Sequence, residues 1–400
     1  MNTRSRVLGL GLCLLWSPCC DQGGGAALEA EPVVVGPATV EVAVGPPTTD
    51  GATAQRNLTA QIDGLRDAVE RGLVGPDVTD ALIDALLTRA QFFGTWRDFD
   101  EALELSAQRL AMPDASSAVY ERRARVLAAV HLFPQALAVL ESSPPDEGVA
   151  AAAVTIGEAI HGGSEEIVAA RQRLAERETR TLGEQIGLAR ALAGVGRFEE
   201  ADAAYVEAAA SYGDVSPLPI AWIAFSRGVM WGEVAGRPDL ARPLYEHAVG
   251  RLPGYVVANV HLAELEVEAG ELARATERLA GLPLDSIVDP EPDAVLGRVT
   301  NDDAIVARAL AGYEQMLALH PEAVWDHATE FFLSGADAPA RAFELAALNL
   351  ALRQTERAYL LALRAALAVG DDDEARRLAT LVAPPIHTAS LRALVEEILG

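Results

Sequence analysis

Four arginines, Arg125, Arg190, Arg298 and Arg364, each stand eleven residues before an alanine of a recurring series, Ala136, Ala201, Ala309 and Ala375. A guanidinium is a planar, permanently charged fork that grips carboxylates through paired hydrogen bonds. Brought onto one face, four of them would clamp acidic groups or a peptide C-terminus. The competing reading pairs each with a Glu or Asp of an adjoining segment. A second constellation is His261 with Glu264 and Glu268, at i, i+3 and i+7 of one helical stripe, with His247 upstream. Imidazole and carboxylates so spaced suit a divalent metal. The plainer reading makes His261 a packing residue and leaves both glutamates in solvent, so no metal is expected. Asp371-Asp372-Asp373-Glu374 is as acidic as a calcium loop but lacks its alternating ligands and central glycine. At a turn, such acids favour the N-terminus of the next helix.

Other chemistry is bounded by what is missing. The chain has no lysine, which excludes a P-loop, a Schiff-base lysine and the protein-kinase strand lysine. No G-x-S-x-G, H-E-x-x-H or glycine-rich phosphate loop occurs. The three cysteines, Cys13, Cys19 and Cys20, all fall in the first twenty residues, so the body has no disulfide, thiol nucleophile or cysteine-based zinc site. No enzyme activity and no cofactor are expected. The net charge of −26 repels phosphate backbones and anionic lipid headgroups. Nucleic acid is therefore not an expected partner, whereas a cationic protein segment is easily accepted. Acidity can also serve solubility alone.

Three segments precede the body. Residues 1–20 read as a signal peptide, with Arg4 and Arg6 before the short apolar run Val7–Trp16, too short to span a bilayer. Its end resembles a bacterial lipoprotein signal, which makes Cys19 and Cys20 the lipidation candidates; Trp16-Ser17-Pro18 departs from the usual residues there, and cleavage without lipidation is the alternative. Residues 21–53 are rich in Gly, Pro and Val and read as a flexible tether. Residues 54–80 read as N-terminal capping helices.

From there the sequence is all-α. Small residues recur at Ala102, Ala136, Ala201, Ala241, Ala275, Ala309, Ala340 and Ala375, several of them 34 residues apart, with Val168 in a degenerate copy. A small side chain lets two helices of a hairpin approach, and Leu140, Tyr205, Tyr245, Leu279 and Tyr313, four residues on, fill the adjoining groove. Gly163, Gly196, Gly236, Gly270, Gly335 and Gly370 supply turns, and Arg97 and His131 stand in for the glycine elsewhere. Pro384-Pro385 ends the series, and Ser390 starts a final amphipathic helix, 384–400, that would cover the last apolar face.

These features resemble the tetratricopeptide repeat, most clearly in Leu188-Ala189…Gly196…Ala201…Tyr205 and in Leu262-Ala263…Gly270…Ala275. The resemblance covers residues 81–383 and implies a right-handed superhelical solenoid of about nine helix hairpins with a C-terminal capping helix. It also implies a concave groove lined by the first helix of each hairpin, which puts Arg125, Arg190, Arg298 and Arg364 on that groove as partner-binding candidates. The expected function is a non-catalytic protein–protein interaction scaffold of the bacterial cell envelope, exported and touching membrane only through a lipid anchor. Solenoid ends and grooves both allow homo-oligomers. The alternative is a small-ligand or glycan-binding repeat protein with a pocket near Trp222, or in its enzyme version a helical-toroid hydrolase with two opposed carboxylates. Trp222, Phe225, Met230, Trp231 and Tyr255 suit an interface or a core, and core is favoured; Trp325, Phe331 and Phe332 pose the same choice.

Overall fold

Start and stop signals cut the alanine-rich chain into short helices. Asp50, Thr181, Asp302, Thr355 and Asp371 each accept a backbone N–H of the helix that follows, and Glu184 completes a capping box with Thr181. At the other ends, Gly94, Gly196, Gly236, Gly270 and Gly370 take left-handed backbone angles that a Cβ would resist. The computed structural model describes residues 39–40, 42, 45–72, 75–113, 115–175, 181–282, 289–382 and 384–400. The leader, with Cys19 and Cys20, lies outside them.

Twenty α-helices form among the described residues. Helix α1 (Gly51–Glu70) leads. Nine hairpins follow: α2 (Pro76–Phe93) with α3 (Trp96–Leu110), α4 (Ser117–Ala129) with α5 (Phe133–Glu141), and α6 (Glu147–His161) with α7 (Glu165–Ala175). Next are α8 (Leu182–Gly194) with α9 (Phe198–Ser211), α10 (Leu218–Val229) with α11 (Pro238–Arg251), and α12 (Val256–Glu268) with α13 (Leu272–Ala280). The last three are α14 (Glu291–Thr300) with α15 (Asp303–Leu319), α16 (Pro321–Ser334) with α17 (Pro339–Leu352), and α18 (Glu356–Ala368) with α19 (Asp372–Leu381). Helix α20 (Ala389–Leu399) closes the stack, its Leu391 and Val395 buried on the last hairpin. The fold is an all-helical repeat solenoid.

The repeat's small residues do what their spacing requires. Ala102, Ala136, Ala201, Ala241, Ala275, Ala309 and Ala375 are wholly buried, as is Val168 to within 1%. Tyr205, Tyr245 and Tyr313 fill the grooves beside them. Approach is close between α10 and α11, where a Cβ on Gly228 would overlap the Tyr245 ring. Each large apolar side chain so buried contributes about 2 kcal/mol.

Five expectations need correction. Ala340 is exposed and Ala342 is the buried residue, because Gly335 stays right-handed and the turn runs on to a left-handed Asp337. Gly94, not Arg97, is the left-handed turn residue of the first hairpin; His131 does take that role in the second. Helix α1 alone caps the N-terminal end, since α2 already pairs with α3, and Thr388 rather than Ser390 precedes α20. Finally, the end of the 21–53 segment is anchored: Thr49 N–H donates to the Val215 carbonyl at 2.8 Å, Arg251 reaches Thr48 Oγ1 at 3.2 Å, and α1 already starts at Gly51.

The solenoid curls far enough to touch itself. The turn of the first hairpin sets Gly94 against Val256 and Asp289, while Asp100 meets His320 Nε2 at 2.9 Å. His131 Nδ1 lies 3.0 Å from the Glu322 carbonyl, and Gln354 N–H donates to the Ile160 carbonyl at 2.6 Å. His387 and Ala389 sit against the turn glycines Gly196 and Gly236. The turns of the first five hairpins are thus seated on the later hairpins and the C-terminal cap, where an open groove was expected.

Candidate functional site

The arginines singled out by spacing sit in a ladder of ion pairs along the first helices of the hairpins. Arg125, on α4, and Arg122 both reach the Asp84 carboxylate of α2. Arg190, on α8, lies 3.8 Å from Glu158 of α6, which also meets Arg171 at 3.4 Å. Arg298, on α14, lies 3.7 Å from Glu264 of α12. Arg364 is half-buried on α18. The structure therefore gives the first three the competing role: each joins its hairpin to a neighbouring one.

The ladder continues through histidines. His261 Nδ1 lies 2.7 Å from Glu233, and Glu264 is buried to 1% exposure, not solvated as expected; Glu268 is exposed. Burial alone would depress His261, but the Glu233 carboxylate holds it above its ordinary value. No cluster of three metal-ligating side chains forms among the described residues. Farther on, His327 Nδ1 lies 2.6 Å from Glu291, and Asp326 meets Arg353 at 2.7 Å and Arg357 at 3.6 Å. Burial works against charge on His327 as well, yet Glu291 and Asp326 raise it to about 10. Burial would raise Asp326, but Arg353, His327 and Arg357 hold it well below the usual carboxylate range.

Where the first and second hairpins meet the fifth to eighth, a cavity of about 120 Å³ remains. Trp96, Trp222, Phe225, Tyr255 and Tyr313 supply most of its aromatic surface. The rings are locked together: Phe225 and Tyr255 are 5.3 Å apart, and Tyr255 packs on Phe92 at 4.8 Å. Trp231 and Met230 are wholly buried core, the reading favoured for them, with Trp231 Nε1–H donating to Asp202 at 3.0 Å. Phe331 and Phe332 are core too, and Trp325 is partly buried on it.

Two carboxylates and two imidazoles line the cavity: Asp289, Glu291, His131 and His327. Glu291 is answered by His327, as described. Burial pushes His131 down to about 3, with positive Arg353 adding to the effect, so it is a neutral ring that donates Nδ1–H to Glu322 and keeps Nε2 as an acceptor. Asp289 differs. Its Oδ1 accepts the Glu291 backbone N–H at 3.0 Å, but among the described residues no cation lies within ion-pair distance of it. Burial, aided by the Glu291 carboxylate, pushes it up to about 7. Both carboxylates come from one short segment on one wall, so they are not the opposed pair that glycoside hydrolysis requires.

Sequence reasoning located Trp222, Phe225 and Tyr255 and the alternative of a pocket beside them. It missed Asp289, Glu291 and His327 as site residues and placed His131 only as a turn. Asp289-Pro290-Glu291, an acidic pair held by proline at a helix start, was the one local signal available.

Residues 235–298, from the turn before α11 to α14, match the family model described as tetratricopeptide repeat. None of the curated proteins compared matches this chain. Solved structures similar to it include a chain of the APC/C hetero-tetramer Cut9–Hcn1, 14% identical over 87% of this chain and 73% of that one, with a TM-score of 0.43. Yeast Tom70 is 12% identical over 86% of this chain and 96% of its own, with a TM-score of 0.29. The human IFIT1 dimer with PPP-AAAA is 12% identical over 82% of this chain and 73% of that one, with a TM-score of 0.39.

Proposed function

We propose that this chain is a non-catalytic protein–protein interaction scaffold of the tetratricopeptide kind, exported to a bacterial cell envelope, whose partner presents a cationic segment. The observation that supports the cationic partner is where the charge lies. The chain has 58 acids against 32 arginines, and among the described residues buried arginines are matched to buried carboxylates while Glu104, Glu141, Glu199, Glu268, Asp373 and Glu396 are exposed. Such a surface attracts basic segments over roughly 8–10 Å at physiological salt. The partner-binding surface in this reading is the outer and edge surface, since the inner groove is occupied by the protein's own turns. Export and anchoring rest on the leader, with Cys19 or Cys20 as the lipid-bearing residue.

The test is retention of envelope proteins on the immobilised full chain at about 50 mM and about 500 mM NaCl, with identification by mass spectrometry. The expected result is one dominant protein with an Arg- or Lys-rich segment, held at low salt and released at high salt. Retention that ignores salt would overturn the cationic-partner reading. Incorporation of labelled palmitate that disappears in the double variant C19S/C20S would support the anchor, and export without label would remove it.

A further inference from the structure

We infer that the cavity between the early and late hairpins is a binding site for a small free alkylammonium ion. The cation–π surface of Trp96, Trp222, Tyr255 and Tyr313 would hold its alkyl body and the Asp289 carboxylate its charge.

Three features point to that class. The first is size. An engineered cavity of about 150 Å³ accepts benzene, with six heavy atoms. A cavity of about 120 Å³ accordingly takes about five. The second is the wall. Aromatic faces carry negative quadrupoles, and rings arranged around a space attract a desolvated cation. A purely apolar guest would gain from the rings but not from the two carboxylates beside them.

The third is the unbalanced charge. Glu291 has His327 at 2.6 Å, while Asp289 has only a backbone N–H. A half-buried carboxylate without a cation is costly, and the buried acids Asp98, Glu158, Glu266 and Asp326 each have one. The lone pair on neutral His131 Nε2 offers an ammonium N–H a second acceptor. A bound cation would complete the wall's charge balance. An anion would face two carboxylates.

The inference is independent of the scaffold reading, since it concerns an interior site and a small guest. Isothermal titration calorimetry on the full chain tests it, with tert-butylammonium chloride against its neutral near-isostere tert-butanol at constant ionic strength and pH about 8. The expected result is one site per chain for the ammonium ion, with tert-butanol at least tenfold weaker. Asp289→Asn should weaken the ammonium by at least tenfold and leave tert-butanol unchanged, with thermal unfolding reporting that the variant folds. No heat with either compound, equal affinity for both, or full affinity in a folded D289N protein would each overturn the assignment.

Discussion

Two acidic clusters of the inner helices invite comparison. At the N-terminal end, Asp80 and Asp84 of α2 receive three arginines, Arg109, Arg122 and Arg125. In the central cavity, Asp289 and Glu291 receive one cation, His327. Burial raises both Asp80 and Asp289, so burial does not distinguish the two places. Supply of positive charge does. The first cluster is complete without help and joins α2 to α4. The second is one cation short and borders an empty volume. A stack of similar hairpins thus contains both a strut and a receptor, made from the same residue types and separated by charge count.

The comparison can be broken most severely at the strut. Asp84→Ala leaves two nearly buried guanidiniums without their shared carboxylate, and losing one partner of a buried pair costs about 3–5 kcal/mol. Urea unfolding followed by circular dichroism measures it. A loss under about 1 kcal/mol would show that the ladder is not structural.

Next comes His327. Its folded value of about 10 lies above the ordinary 6.5. Its contribution is therefore fully present below about pH 6.5 and is lost as pH rises through about 10. Wild-type stability should fall between about pH 8 and 10.5 by about 2–3 kcal/mol, and His327→Gln should be less stable at neutral pH but flat over that window. Asp289 gives an effect of distinct form. Its folded value of about 7 exceeds the ordinary 3.8, so the stability it lends as a neutral acid is present below about pH 4 and lost as pH rises through 7. Asp289→Asn should match wild type near pH 4 and exceed it by up to about 4 kcal/mol at pH 8, measured by urea unfolding across pH. A variant less stable than wild type at pH 8 would mean that Asp289 has a cation after all.

The weakest expected effect lies on the outer surface. Arg308 pairs with Asp293 at 2.8 Å but is 58% exposed, and Arg308→Ala should change stability by no more than about 0.5 kcal/mol. A larger loss would remove the contrast between inner and outer pairs.

The hairpins were legible because their determinants are local. An alanine at Ala201 or Ala275, a left-handed glycine five residues earlier and an aromatic or leucine four residues later specify a hairpin without reference to distant chain. The one register error, Ala340 for Ala342, arose where two residues of extra turn carried a non-glycine left-handed Asp337. The site was less legible because it exists only through closure. Trp96 and His131 come from the first two hairpins and Asp289 and His327 from the seventh and eighth, and periodicity does not say how far a superhelix curls. The arginine series was legible as a set of equivalent positions on first helices. Its partners were not assigned, since Asp84, Glu158 and Glu264 are identified only once neighbouring first helices are side by side.

The most direct test is thermal unfolding of wild type and D289N at pH about 8, each with and without tert-butylammonium at matched ionic strength. A ligand that binds only the folded state raises its stability by about 2.7 kcal/mol at a hundredfold excess over Kd. The account expects the wild-type midpoint to rise with the ammonium ion and the D289N midpoint to start higher and stay fixed. Equal shifts in both proteins, or none in wild type, would contradict the claim that the missing cation marks a binding site.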